Sequence, residues 1–368
     1  MYISDNRKIA TVRKPKKNGV FVKKVIILLV LVLSFNNLIS EPTAEDYIKM
    51  GISEHEKGNY ESALKFYDKV IETGDLIDYA YYEKGMTYSV MGNQEKSLEM
   101  GEKLIEAATR DDLMAMGYML KGNALDYLGN PLESIEVYLE GIDETDFFML
   151  HFNLAMTYQG LNMDSLALIS LSKTVEENLL FPSSHYYIGI NYYEEQLKSK
   201  AILATTFFLI LPQTKEDRRV ISFENIMSVL NMGINRTDSN VVNINMIQRE
   251  DNSRPFSSSD LMISLTLAID TNTIKNPYTY ALSKNLDMVL NVFEINGDDE
   301  IELDMEQFLF DYYISFFLEA DKEGHMETLV RIACSIKDVE SEQWMIDNED
   351  KVAEFYKFFI NHFELEEG

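Results

Sequence analysis

Glu294 to Met305 reads Glu-Ile-Asn-Gly-Asp-Asp-Glu-Ile-Glu-Leu-Asp-Met, with oxygen-bearing side chains at its first, third and fifth places and Ile301 at its eighth. That is the pattern of a loop that wraps calcium between two helices. Two places break it. The sixth, where the sharp turn needs glycine, is Asp299, and the twelfth, where a bidentate glutamate closes the shell, is Met305, with Glu306 one residue late. The segment reads as an acidic loop between helices. The five histidines, at 55, 151, 185, 325 and 362, are scattered without the spacing of a metal set. HExxH, CxxC, a phosphate-cradling glycine loop and a nucleophile elbow are all missing from the sequence. Carboxylate pairs such as Glu194 and Glu195 arise by chance in Glu-rich helices and carry no catalytic weight. Cys334 has no second cysteine to pair with, and among Leu329, Ile332 and Ala333 it reads as a small core residue. The expectation is a protein with no catalytic residue, no cofactor and no metal ligand, hence not an enzyme.

Composition narrows the class further. Across 368 residues the hydrophobic share is 46%, with 21 Tyr and 20 Phe, enough apolar surface to offset the conformational entropy of folding. The formal charge is −28, from 61 Asp and Glu against 33 Lys and Arg. Nucleic-acid binding needs Lys and Arg to neutralise phosphates, and the chain has no basic stripe beyond its first forty residues.

Those forty residues are a separate unit. Arg7, Lys8, Arg13, Lys14, Lys16, Lys17, Lys23 and Lys24 precede the unbroken apolar run Val25 to Leu33, which gives way to Asn36 and Asn37. A membrane-spanning helix needs about 20 apolar residues, and this run has roughly half that, the length of a signal-peptide core. Residues 1–40 are expected to be a signal peptide or an N-terminal membrane anchor, so the protein is expected to be exported, periplasmic or envelope-associated. Leu38 and Ser40 only half satisfy a cleavage site, which keeps an uncleaved anchor open.

What positions any functional surface is a repeat. Gly51, Gly85, Gly122, Ala155 and Gly189 are each followed twelve residues later by another small residue, Ala63, Ser97, Ser134, Ala167 or Ala201. Between them, in the first three copies, stands a Gly-Asn pair, at Gly58-Asn59, Gly92-Asn93 and Gly129-Asn130. Taking the first small residue as position eight, copies begin near residues 44, 78, 115, 148 and 182, with extra residues at the Arg110-Asp111-Asp112 connection. Tyr47, Tyr81 and Tyr118 hold the fourth position, taken by His151 and His185 in the last two copies, and Tyr88, Tyr158 and Tyr192 hold the eleventh. Apolar residues recur at helical spacing in two runs per copy, such as Tyr47, Met50, Gly51 and then Ala63, Tyr67, Val70. Each copy is therefore two amphipathic helices joined by a turn, and copies must stack because a single hairpin cannot bury its apolar face. Positions His151 and His185, one repeat apart, are too distant to share a metal and read as packing residues.

This pattern resembles the tetratricopeptide repeat family, over a little under half the chain. The resemblance implies a right-handed α-solenoid of about five helix hairpins over residues 41–213. With the helical spacing further on, the expected fold is all-α: the array, then a capping helix and polar connector over 214–258, and a C-terminal helical domain over 259–368. It also implies a concave groove lined by the first helix of each copy. The positions that face inward in the family are here Ile48, Ile52, Tyr79, Tyr82, Met86, Met116, Met119, Asn123, Met149, Phe152, Met156, Tyr186, Ile190 and Tyr193. Almost no cation stands among them, which argues against a clamp for a terminal carboxylate. Met is flexible and polarizable and Tyr joins apolar area to a hydroxyl, a lining suited to a partly apolar peptide or helix. The alternative is that the same stripe is core, filled by the chain's own C-terminal half.

Beyond Pro212 the sequence predicts a helix over Arg218 to Met232 that caps the array. A polar connector follows, with an extended segment at Val242, Ile244 and Met246. Helical spacing returns at Leu261 to Ile269, with Ser258, Ser259 and Asp260 as capping candidates, then at Tyr278 to Phe293 and Glu306 to Ala320. The run Phe308 to Leu318, apolar nearly all round, marks a buried helix. The last helix carries a stripe of Val352, Phe355, Tyr356, Phe359, Ile360 and Phe363, flanked by acids. Trp344 before this Phe-rich helix faintly resembles the tails of exported tetratricopeptide proteins of the Bacteroidota.

The sequence thus points to a non-enzymatic scaffold of a bacterial cell envelope that takes a protein or peptide partner in a Met and Tyr groove, without nucleic acid and touching membrane only through an uncleaved N-terminus. Two alternatives remain: a structural or self-assembling envelope protein, such as a homo-oligomer, whose groove takes its own or a neighbour's C-terminal domain, and an enzyme with its site at the junction of the two halves.

Overall fold

The computed structural model describes residues 42–212, 216–231, 234–238, 241–244, 254–269, 277–296 and 304–365. The basic and apolar segment 1–40 lies outside them, as does most of the acidic loop 294–305. Among the described residues the fold is all-α apart from one short strand pair. Contacts divide the chain into two compact units, up to Glu83 and from Lys84 onward.

The first unit holds α1 (Ala44–Glu56), α2 (Tyr60–Thr73) and the first half of α3 (Ile77–Val90). Thr43 opens α1 with a reciprocal cap: its Oγ1 accepts from the Asp46 amide at 3.2 Å, while the Asp46 carboxylate accepts from the Thr43 amide at 2.9 Å. Gly58 ends the helix at φ 79°, a left-handed conformation that only glycine adopts without steric cost. Ala63, Tyr67, Val70 and Ala80 form the core, with Ile48 and Ile52 packed against it.

The second unit continues with α4 (Gln94–Ala107), α5 (Asp111–Tyr127), α6 (Pro131–Thr145), α7 (Phe148–Gly160), α8 (Asp164–Glu177), α9 (Pro182–Glu194) and α10 (Lys198–Ile210). Every hairpin turn falls at the fifteenth repeat position. Gly92 and Gly129 take the left-handed conformation there, and Asn162 and Gln196, at φ 56° and 59°, take it in the last two copies. In each of these turns the next residue's amide bonds back five residues, as from Asn130 to Leu125 at 2.9 Å and Leu197 to Tyr192 at 2.9 Å. In the first, third and fifth copies the glycine at position eight is covered by the residue at position twenty-four: a Cβ on Gly122 would fall on the ring of Tyr138. Ser134 Oγ, at position twenty, donates to the Gly122 carbonyl at 2.9 Å. One expectation is corrected. The extra residues near Arg110 do not lengthen the connection; they extend α5 at its start, because Leu113 finds a buried place in the core.

The C-terminal domain comprises α11 (Glu216–Asn231), β1 (Ile234–Asp238), β2 (Val241–Ile244), α12 (Arg254–Ile269), α13 (Pro277–Asn296), α14 (Asp304–Leu309), a π turn at Phe310–Ile314, α15 (Ser315–Lys322), α16 (Met326–Cys334), α17 (Val339–Asp347) and α18 (Glu349–His362). The strands pair antiparallel, Ile234 opposite Ile244, so the extended segment is half of a hairpin that begins upstream. The α14 to α15 run is buried as expected through Phe308, Tyr313, Phe316 and Phe317. Cys334 is buried and unpaired, and burial pushes its thiol up to about 12.

The core of this domain is α10, the second helix of the fifth repeat. All of its residues from Lys198 to Ile210 are buried, and it contacts α9, α11, α12, α13, α16 and the π turn. Phe207 alone meets the rings of Tyr313, Phe316 and Phe359 at centroid distances of 5.1, 5.5 and 5.8 Å. Ser258, Ser259 and Asp260 do not cap α12, which starts earlier, at Arg254. Asp260 instead caps α10 from a distance, its carboxylate accepting from the Ser199 amide at 2.7 Å and from Ser199 Oγ at 2.6 Å. A helix buried on every side has orphan amides at its start that water cannot reach, so a neighbouring helix supplies the acceptor.

Candidate functional site

Thirteen of the fourteen positions expected to line a groove are partly buried, neither core nor fully exposed, and the remaining one, Met86, is exposed. In the first unit these are Ile48, Ile52, Tyr79 and Tyr82; burial raises the pKa of the Tyr82 hydroxyl, as does the charge of Glu83. In the second unit, α5 carries Met116, Met119 and Asn123, and α7 carries Met149, Phe152 and Met156. These two helices pack directly on one another, joined by a short hydrogen bond from Thr157 to the Asp126 carboxylate. Asn123 faces its own hairpin, its Oδ1 accepting from Tyr138 at 2.8 Å. Phe152 stands edge-on to Phe181 at 5.0 Å. The face of α5 and α7 is thus thioether-rich, half-solvated and flanked by rings.

At the fifth copy the chain covers its own face. The Arg218 guanidinium of α11 lies over Tyr186 at 4.9 Å and Tyr187 at 5.6 Å, and its Nη1 donates to Ser183 Oγ at 2.9 Å. The Tyr193 hydroxyl meets Ser228 Oγ of α11 at 3.3 Å. Tyr186 and Tyr193 therefore contact the chain's own C-terminal half, while no such cover reaches Met116 or Met119 among the described contacts.

The junction of repeats and C-terminal domain holds buried charge. Lys198 Nζ donates to Ser264 Oγ at 2.9 Å, and Lys200 pairs with Glu306 at 3.4 Å, with Phe256 beneath its ammonium at 4.7 Å. Burial raises the Asp260 carboxyl above its usual range, against hydrogen bonds from Ser199 that lower it. An enzyme at this junction would need a perturbed carboxylate facing a cavity; Asp260 is perturbed, but its Oδ1 is engaged in capping α10. A cleft of about 540 Å³ lies nearby, between the α7–α8 turn and α9, lined by Asn162, Asp164, Asn191, Glu195 and Leu197; the buried Asn191 Oδ1 has no hydrogen-bond partner.

The two histidines at position four have different fates. His185 is buried and satisfied on both nitrogens, Nδ1 to the Tyr313 hydroxyl at 2.8 Å and Nε2 to the Leu179 carbonyl at 2.7 Å, and burial pulls its pKa down to about 4. His151 instead meets two carboxylates, Asp146 and Glu177. That trio escapes sequence reading because Asp146 belongs to the preceding copy and Glu177 lies 26 residues downstream of His151. A second unanticipated feature is on the other side of the hairpins: α6 exposes Leu132 and Leu139, and α8 exposes Leu166 and Ile169.

The array is built of stacked antiparallel helix hairpins, similar to those of tetratricopeptide repeat proteins. No family model matches the sequence. The chain is 26% identical over 129 residues to the TPR repeat-containing protein MJ1428 of Methanocaldococcus jannaschii, a match that takes in 35% of this chain and only 22% of that relative's length. Among solved structures it is similar to the thermophilic TPR protein TTC0263 of Thermus thermophilus, at 18% identity and a TM-score of 0.43, covering 50% of this chain and all of that one. It is also similar to YrrB, described as a TPR protein with an unusual peptide-binding site, at 21% identity and a TM-score of 0.35, covering 49% and 92% of the two chains. Pseudomonas aeruginosa pilF is a third, at 16% identity and a TM-score of 0.42, covering 51% and 88%.

Proposed function

We infer that this chain is a non-enzymatic adaptor of a bacterial cell envelope that holds a peptide or helix of a partner protein on the first-helix face of its repeats. The observation that carries this reading is the half-exposed lining of α5 and α7, where Met116, Met119, Met149, Phe152 and Met156 are held at the surface by the repeat register. Met side chains there adapt to an apolar ridge at little entropic cost, as a helix-in-groove contact requires. The Arg218 cover over Tyr186 sets the C-terminal limit of the open face at the fourth copy. Placement in the envelope rests on the basic prefix and short apolar run of residues 1–40. Fractionation of cells producing the full chain tests this, and recovery in the cytosol alone overturns it.

The binding test is a crosslinking pull-down from the native envelope with the Met119→Asp, Met156→Asp double variant. A folded variant that loses the partner supports the face; unchanged capture removes it. The exposed Leu139 and Ile169 favour a second reading, self-assembly through the second helices. Sedimentation at several concentrations, with Leu139→Ser and Ile169→Ser, separates the two.

A further inference from the structure

We propose that Asp146, His151 and Glu177 form a binding site for a transition-metal dication of zinc type. The antiparallel hairpin brings the first turn of α7, carrying His151, beside the last turn of α8, which ends at Glu177. Asp146 arrives from the preceding copy: it ends α6 in a left-handed conformation, φ 48°, which turns the chain into α7. One ligand atom from each of the three lies within 4.8 Å of the others, and His151 Nε2 stands 3.4 Å from Glu177 Oε1. Zinc bound to nitrogen and oxygen at ~2.0–2.2 Å holds adjacent tetrahedral ligands ~3.4 Å apart, so that pair is already spaced for it. The widest separation has to close by at most ~1.4 Å, within reach of a side-chain rotation at the exposed Asp146.

The electrostatics call for a cation. Asp146 and Glu177 both sit at helix C-termini, where unpaired carbonyls concentrate partial negative charge. The nearby Lys173 is drawn to Glu176 at 2.6 Å. Burial lowers the His151 pKa, outweighing the opposing pull of Asp146 and Glu176. Burial raises the Glu177 pKa, as do the charges of Asp146 and Glu176, while Lys173 lowers it. One imidazole with two carboxylates selects zinc, cobalt or nickel over calcium, because a nitrogen donor suits borderline metals. Three protein ligands leave a fourth position to water.

The test is calorimetric titration of the tag-free, chelator-treated full chain with Zn²⁺ at pH 7, paired with Co²⁺ absorption in the visible. One ion per chain and a cobalt band of nitrogen and oxygen ligation are expected. His151→Asn and Glu177→Gln should each weaken binding roughly 10-fold or more, with circular dichroism unchanged. Glu133→Gln, an exposed carboxylate at the opposite end of α6 from Asp146, should leave the affinity unaltered. Absence of heat overturns the proposal. So does binding that His151→Asn and Glu177→Gln leave as it was, since that is diffuse association with an acidic surface.

Discussion

Copies three and five of the array have the same left-handed turn and the same small residue at position eight, and their second helices are of similar length, 15 and 13 residues, yet those second helices live in different solvents. On α6 the outer face, Glu133, Glu136, Glu140 and Asp143, is exposed. On α10 the equivalent residues, Lys200, Leu203, Phe207 and Ile210, are buried. The repeat therefore fixes how two helices meet and leaves open what their far side touches. A repeat whose far side is apolar becomes the core of whatever follows it.

The sharpest break of that comparison is at position twenty-six. Phe207→Ala empties a ring-lined core and should cost about 3–5 kcal/mol, seen as a lower urea midpoint for the second unit. Next is the histidine pair. The His185 pKa is pulled down to about 4 from 6.5, so the native state binds fewer protons than the unfolded one. Stability should then fall as pH drops from 6.5 through about 4, by up to ~3 kcal/mol, and His185→Gln should flatten that stretch of the melting profile. Smallest is Glu140→Ala, at the same repeat position as Phe207: on a solvated face the urea midpoint should move by less than ~0.5 kcal/mol equivalent. A large effect there would mean that the outer face of copy three is also covered.

Some of this was legible. The eighth-position small residues and Gly-Asn pairs placed every hairpin turn within its copy, because a left-handed turn and a close helix contact each restrict residue type severely. The series at position twenty-six, Lys69, Lys103, Glu140, Lys173 and then Phe207, was also a readable sign that the fifth copy needs a cover. Asp260 was read as a cap for its own helix, since local signals cannot reveal an acceptor lent to α10 from another element. The contact of Arg218 with Tyr186, and the meeting of Asp146, His151 and Glu177, lay beyond any local pattern as well.

By itself, then, the sequence determined the repeat helices, their pairing and which stripe of each first helix stays half-apolar. These follow from periodicity and from the steric demands of turns. Only the tertiary structure decided which stripes are open and which are filled, and which charges from separate copies converge. Both depend on residues distant in the chain competing for the same surface, and a hairpin carries no record of its neighbours beyond the polarity of its outer face.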